Sequence, residues 1–335
     1  MTIKSIQALT GFSYSTISRV VNGKAKEYRI SEETCNKILE AAERLNYRPN
    51  ILARGLRLKK TMTIGLIVSD IQNPFFGELG SGIERELRSH GYSTILCNAN
   101  EVAENEEFYL RVLVDRNVDG IIIVPVQAGE WSYLETLGKT TPVVLMDRTV
   151  HHTELPWVTS ENALAAEAMT DRLIAAGHVR IAYLGGTPLS YITEVRFTGF
   201  RRSLMRHGVP LDPGLVFSAG YSIKSGEEMM TEALKREPGL RAAFCVNNLV
   251  FQGAMRVVQE AETKGAPGIL MAAFDIRAYC DIIKRPLVCA NQDVETIALT
   301  AVNLILDRID GRPRQESHVV VPIKVATHRL PAADA

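Results

Sequence analysis

The chain predicts an α + α/β fold, a small all-helical head followed by a larger body of alternating strands and helices, on three observations. Residues 1–60 hold 12 Lys and Arg against 5 Asp and Glu, whereas residues 61–335 hold 26 against 33. The apolar residues of the head recur at helical spacing. From residue 61 onward, short β-branched runs alternate with helical stretches, and this rhythm sounds twice. The boundaries read as 1–48 for the head, 49–60 for a linker and 61–335 for the body.

At 335 residues with 46% hydrophobic and 23% charged side chains, the composition is that of a globular chain with more than one core. The longest apolar runs, "IGLIV" and "GIIIVPV", fall far short of a membrane span. The N-terminus lacks the apolar core of a signal peptide, and the five cysteines (Cys35, Cys97, Cys245, Cys280, Cys289) show neither metal nor redox spacing. Together these features point to a reducing cytoplasm and to no metal or cofactor. The formal net charge of zero conceals a basic head on an acidic body, which suggests a polyanionic partner for the head alone.

Within the head, Thr2 can cap a helix carrying Ile3, Ile6 and Leu9, and Gly11 is free to take a positive φ in the turn after it. Ser13 can cap a second helix over residues 14–22. At about 100° per residue, Ile17, Val20 and Val21 share one face while Ser15, Ser18, Arg19 and Asn22 share the other, with Tyr14 on the flank. Ser31 can cap a third helix whose Ile38, Leu39, Ala42 and Leu45 close the core, ending before Pro49. This is a helix-turn-helix pattern, whose second helix can present its N-terminal side chains to base edges in a major groove. Arg19 suits guanine through its forked donors, and Tyr14 and Ser15 offer hydroxyls to neighbouring bases. Lys24, Lys26 and Arg29 in the following loop suit phosphates.

In the body, "TIGLIV", "YSTILCN", "DGIIIV" and "PVVLMD" are strand candidates, followed by "RIAYLGG", "RAAFCVN", "GILMAAFD" and "PLVCANQ". Strand–helix alternation with buried β-branched runs implies parallel sheets, and the two rounds imply two subdomains with a cleft between them. Ligands of open α/β sheets sit at the carboxyl ends of strands. Polar residues at or just beyond those ends are Ser69, Asp70, Asp147, Arg148, Tyr221, Asn247, Asp275 and Gln292, with Arg196 one turn into a helix and Phe75, at the helix start Asn73-Pro74, as an aromatic that could stack on a ring. Planar polar groups with an aromatic face suit a sugar. Arg148 and Arg196 together could hold a phosphate by charge-assisted bonds, which favours a sugar phosphate. A neutral sugar stays open, since Arg148 could pair with Asp70 or Asp147 instead.

The segments "YSTISRVVNG", "NYRPNILARGLR" and "TIGLIVSDIQNPFFGEL" resemble the LacI/GalR (lactose-repressor) family of transcription regulators along essentially the whole chain. The loop "NGKAKEYRIS" is similar to that of the fructose (catabolite repressor/activator) and sucrose repressors within it. The resemblance implies a periplasmic-binding-protein-like core of two subdomains joined by three crossings, about 61–160 plus 291–322 and about 161–290 plus 323–335. It implies base reading by Tyr14, Ser15 and Arg19, and a hinge helix ordered on DNA, with Asn50 and Ala53 in it and Leu56 as the wedge that kinks the duplex. Gly55 departs from the pattern and lowers helix propensity by about 1 kcal/mol relative to Ala. Effector contacts are implied at Ser69, Asp147, Arg196, Tyr221, Asn247, Asp275 and Gln292. Ile276 stands where the family often has a second Asp, and Asn248 adjoins Asn247. The resemblance further implies a homodimer on a pseudo-palindromic operator, and a repressor of carbohydrate metabolism genes in which a sugar or sugar phosphate such as a fructose phosphate sets DNA affinity. No leucine heptads follow Arg329, which disfavours a coiled-coil tetramer. The alternatives, a sugar kinase or a sugar-binding protein without a regulatory role, leave the head unexplained, and no phosphate loop, dinucleotide fingerprint or His-Glu-x-x-His motif occurs.

Overall fold

A hydroxyl residue stands before each of the first three helices, and two of these cap in the usual manner. In the computed structural model, Ser13 Oγ accepts from Thr16 N at 3.2 Å to start α2 (Tyr14–Val21). Ser31 Oγ accepts from Thr34 N at 3.3 Å to start α3 (Glu32–Arg44). α1 (Ile3–Thr10) follows Thr2 and ends at Gly11, whose φ of 73° only glycine adopts without strain. The structure describes residues 2–47, 60–126, 132–150, 153–188, 190–280, 282–312 and 316–329. The chain divides into two units, Met1–Thr61 and Met62–Ala335. The hinge residues Asn50, Ala53 and Leu56 lie outside the described residues.

Ile6, Ile17, Val20, Ile38, Ala41 and Ala42 form the core of the head. Two leucines expected there lie outside it: Leu9 is 48% exposed and Leu39 is 50% exposed. On α3 the inward stripe is Ile38, Ala41 and Ala42, and Leu39 lies about 100° away from Ile38. The stop of α3 also differs in cause from the expected proline. Asn46 takes a φ of 48°, and Tyr47 N donates to Ala42 O at 2.8 Å, a left-handed closure that ends the helix ahead of Pro49.

The second unit holds two six-stranded sheets. The first contains β1 (Thr63–Val68), β2 (Ser93–Asn98), β3 (Gly120–Ile123), β4 (Val143–Asp147), β5 (Trp157–Ser160) and β11 (His318–Val321), in the order β11-β5-β4-β3-β1-β2. The second contains β6 (Ile181–Gly185), β7 (Val216–Ser218), β8 (Ala242–Cys245), β9 (Leu270–Phe274), β10 (Leu287–Asn291) and β12 (Lys324–His328), in the order β12-β10-β9-β8-β6-β7. The strand pairs are parallel, with one correction to the all-parallel expectation: β12 runs antiparallel to β10. The short β5 carried no strand signal of its own, since four residues beginning with Trp show no apolar run.

Helices cover both faces of each sheet: α4 (Pro74–Ser89), α5 (Ala103–Asp115), α6 (Ser132–Leu137) and α12 (Val294–Ile309) on the first, and α7 (Asn162–Ala175), α8 (Tyr191–Arg206), α9 (Ile223–Arg236), α10 (Asn248–Thr263) and the short α11 (Arg277–Cys280) on the second. The chain passes between the sheets after β5, after β10 and after β11. Gly226 on α9 meets the Val250 carbonyl of α10, and Gly253 on α10 meets the Ile223 carbonyl, so a Cβ at either position would push the two helices apart. Among the described residues, no helix is long and apolar enough to cross a membrane.

Candidate DNA-reading head and effector cleft

On α2, Tyr14 is 55% exposed, and Ser15 and Arg19 are exposed with it. The Ser15 hydroxyl lies 2.9 Å from that of the cap residue Ser13. Asn22 Nδ2 donates to Ser18 O at 2.6 Å, so the half-buried Ser18 and Asn22 close the end of the helix on one another. The loop after it is a single closed turn. Ile30 N donates to Ala25 O at 3.0 Å and Arg29 N to Lys26 O at 3.2 Å, with Arg29 at a φ of 51° in the position usually held by glycine. This turn holds Lys24, Lys26 and Arg29 exposed, Lys24 with Glu27 at 3.6 Å. It also places Tyr28 beneath Arg19, whose guanidinium lies 3.9 Å from the ring centroid. Sequence reasoning missed Tyr28; its signal is an exposed aromatic inside a basic loop.

In the second unit, Arg196 is buried on the second turn of α8. Its Nε donates to Asn162 Oδ1 at 2.8 Å, its Nη1 donates to Val246 O at 2.5 Å, and its guanidinium lies 3.6 Å from the Phe274 ring centroid. Burial lowers its pKa against the attraction of Asp275 and Asp147. Asp275 follows β9 at a φ of 58° and accepts from Gln292 N at 3.1 Å and Gln292 Nε2 at 2.9 Å. Burial raises the Asp275 pKa, opposed by Arg196.

Asp147 stands at the matching place in the first sheet, with a φ of 64°. Arg148 N donates to Met146 O at 2.7 Å, closing a tight three-residue turn around Asp147. Two non-glycine residues in left-handed geometry at paired strand ends mark sites where backbone strain is tolerated, a recurrent property of functional positions. Burial pushes the Asp147 carboxyl up to about 6, while Arg148 and Arg196 pull it down.

Arg148 does not stand open to a phosphate. It is 5% exposed and forms a two-pronged pair with Glu101, Nη1 to Oε2 at 2.9 Å and Nη2 to Oε1 at 2.6 Å, with Pro125 O at 3.3 Å. Burial works against its charge, and Glu101 more than offsets this, raising its pKa. The expected structural partners were Asp70 or Asp147; Asp147 contributes at 3.9 Å, but Glu101 is the main one. Asp70 instead accepts from Gln72 N at 2.9 Å within its own turn. Phe75 packs edge-on to Phe76 in the apolar core against the first sheet, at 5.0 Å between centroids, rather than standing open as a stacking platform.

Tyr221 donates to Ser190 Oγ at 2.5 Å and lies 2.9 Å from Thr193 Oγ1, with its ring 5.1 Å from the Arg148 guanidinium. A Cβ at Gly186 would collide with that ring, so the strand-end glycine makes room for it. Asn247 is bound at both ends, Oδ1 accepting from Val250 N at 2.8 Å and Nδ2 donating to Tyr221 O at 3.2 Å, which makes it a helix cap. Its neighbour Asn248 reaches across to the other subdomain, Nδ2 donating to Asn73 Oδ1 at 2.9 Å.

Buried polar atoms without a hydrogen-bond partner concentrate here: Ser69 Oγ, Asp147 Oδ1, Arg148 Nε, Ser160 Oγ, Asn248 Oδ1 and Gln292 Oε1. Such atoms cost free energy unless a ligand or water satisfies them. The structure therefore brings Asp147, Arg148, Arg196, Tyr221, Asp275 and Gln292 into one charged, strand-end set. Glu101, Asn162 and Ser160, which join it, went unnoticed because they follow the short β5 or pair across long sequence separations.

Residues 2–50 match the lacI family of bacterial regulatory proteins, and residues 61–321 match the periplasmic binding proteins and sugar binding domain of the LacI family. Catabolite control protein A of Priestia megaterium is 30% identical over 97% of this chain and 97% of its own length. The transcriptional repressor PurR of Aliivibrio salmonicida is 28% identical over 98% and 99%. The solved structure of a lac repressor dimer bound to operator and an anti-inducer superposes with a TM-score of 0.83 at 22% identity, covering 97% of each chain. The chain belongs to the LacI family, DNA-binding transcription regulators that join a helix-turn-helix head to a sugar-binding core.

Proposed function

We propose that the cleft binds a neutral, polyhydroxylated effector of sugar type, and that this binding is linked to operator binding by the head of a homodimer. The observation that carries the reading is the set of buried, unpartnered polar atoms around Asp147, Arg196 and Asp275. Vicinal hydroxyls both donate and accept, so they suit carboxylates, a guanidinium and an amide oxygen within one small space. The charge balance favours a neutral ligand over a phosphorylated one. Arg148 is matched by Glu101, and Arg196 lies near two carboxylates, Asp147 and Asp275. One observation supports the phosphate alternative: Arg148 Nε has no hydrogen-bond partner.

For the head, the reading assigns base contacts to Tyr14, Ser15 and Arg19 and phosphate contacts to Lys24, Lys26 and Arg29, with a regulatory rather than catalytic role for the whole. An effector shifts DNA affinity only by its differential affinity for the DNA-bound and free states. Thermal-shift screening of the full chain against neutral sugars and their phosphates tests the effector class, because a ligand of the native state raises the unfolding temperature. A rise with a neutral sugar that disappears in Asp275→Ala supports the reading. A rise with phosphorylated forms alone would replace it with the phosphate alternative.

A further inference from the structure

We propose that Cys280, Cys289 and His328 form a binding site for a thiophilic divalent metal ion, zinc above all. Cys280 ends α11, Cys289 lies in the middle of β10, and His328 ends β12, which runs antiparallel beside β10 with His328 opposite Leu287. Their ligand atoms lie within 4.8 Å of one another, and among the described residues this is the one group of three such side chains so placed. Around a tetrahedral zinc with Zn–S near 2.3 Å, two sulfurs sit about 3.8 Å apart, so closing on an ion requires movements of about 1 Å or less.

The other buried thiols make the contrast. Cys97 and Cys245 are equally buried but belong to no such group. Beyond the ligands, Asn291 Nδ2 donates to Cys289 Sγ at 3.6 Å, an outer hydrogen bond of the kind that supports a metal-bound thiolate. The Cys280 thiol donates to Ile276 O at 3.4 Å, and this proton would leave on binding. Binding releases one proton from each thiol to solvent and leaves two thiolates and a neutral imidazole around the ion. Sulfur ligands exclude magnesium and calcium, and three protein ligands leave a fourth position for water. Ile276 adjoins Asp275, and Asn291 adjoins Gln292, so an ion here would fasten together the elements that carry the Asp275–Gln292 pair.

The test uses the full chain, reduced with a phosphine and freed of metal, titrated with cobalt(II) and then zinc. One equivalent of cobalt should give thiolate-to-metal absorption in the near ultraviolet, and zinc should displace it. Cys280→Ser and Cys289→Ser should each lose that absorption. His328→Gln, at the half-buried rim, should weaken affinity at least about tenfold. Cys35→Ser should change nothing. If a serine variant fails to fold, X-ray absorption of the zinc-loaded wild type should still report two sulfurs and one nitrogen. No absorption from the reduced wild type would overturn the site. So would absorption that survives His328→Gln and either serine variant undiminished. A Cys280–Cys289 disulfide formed by mild oxidant, in protein that takes no metal when reduced, would make the cluster a redox pair instead.

Discussion

The head and the cleft both present Arg, Tyr, Ser and Asn, but they hold them in opposite ways. In the head, Tyr14, Arg19, Lys24 and Lys26 are exposed, and their contacts within the chain, Arg19 on Tyr28 and Lys24 beside Glu27, lie at the surface. In the cleft, Arg148 and Arg196 are buried and already engaged with Glu101, Asn162 and Val246. The lesson concerns cost. An exposed side chain is worth only what its partner gives it, whereas a buried one is tied to the stability of the fold itself.

The largest effect expected from that difference is at Arg196. Arg196→Ala should lower stability by about 3–5 kcal/mol, because it removes two hydrogen bonds, leaves the buried carboxylate Asp275 without its cation and leaves Asp147 with Arg148 alone. Urea unfolding measures this, and the variant should also lose its effector response. Arg196→Lys should rescue little, since an ammonium cannot bond Asn162 and Val246 at once while lying flat on Phe274.

Arg148→Ala comes next, at about 3 kcal/mol or more, with Glu101 left half-buried and unpaired. The double variant Arg148→Met/Glu101→Gln should recover most of the loss. Lys24→Ala, which breaks an exposed pair with Glu27, should cost about 0.5 kcal/mol or less. Equal costs for Arg148→Ala and Lys24→Ala would erase the contrast between the two regions.

Asp147 sharpens the contrast through pH. Its folded carboxyl is raised from 3.8 to about 6, so its contribution to stability is fully present below about pH 4 and is lost as pH rises through about 6. Asp147→Asn should therefore stabilise the ligand-free protein more at pH 8 than at pH 4, by thermal unfolding at both. Glu106, raised to about 7 chiefly by burial, acts in the same direction in both proteins and cancels in the comparison.

At the head, Arg19→Ala should cost about 1–3 kcal/mol on a selected operator and relax one base pair per half-site. Lys26→Ala should leave stability nearly unchanged, weaken all DNA sequences alike and shallow the salt dependence by about one unit of slope. Fluorescence anisotropy across a salt series separates the two.

The same contrast explains what could be read in advance. The head's exposed face follows from spacing along eight residues of α2, so local periodicity suffices to find it. The strands announced themselves as β-branched runs, and Asp147, Asp275 and Gln292 as polar residues at their ends. The cleft's internal pairings were hidden because they join distant segments: Arg148 with Glu101 across 47 residues, and Asn248 with Asn73 across 175. No local pattern reports that an arginine is already matched. Leu9 and Leu39 misled for a related reason, since helical spacing alone does not say how wide a stripe so small a core can cover.

The central claim is that effector and operator binding are one linked equilibrium. The direct measurement is operator affinity of the full chain, on DNA recovered by selection from random sequence, with and without the sugar found by thermal shift. Effector affinity is then measured with and without that operator. The account predicts that the two ratios agree, as linkage requires, and that both fall to one in Asp275→Ala. Operator affinity unchanged at saturating sugar would contradict it.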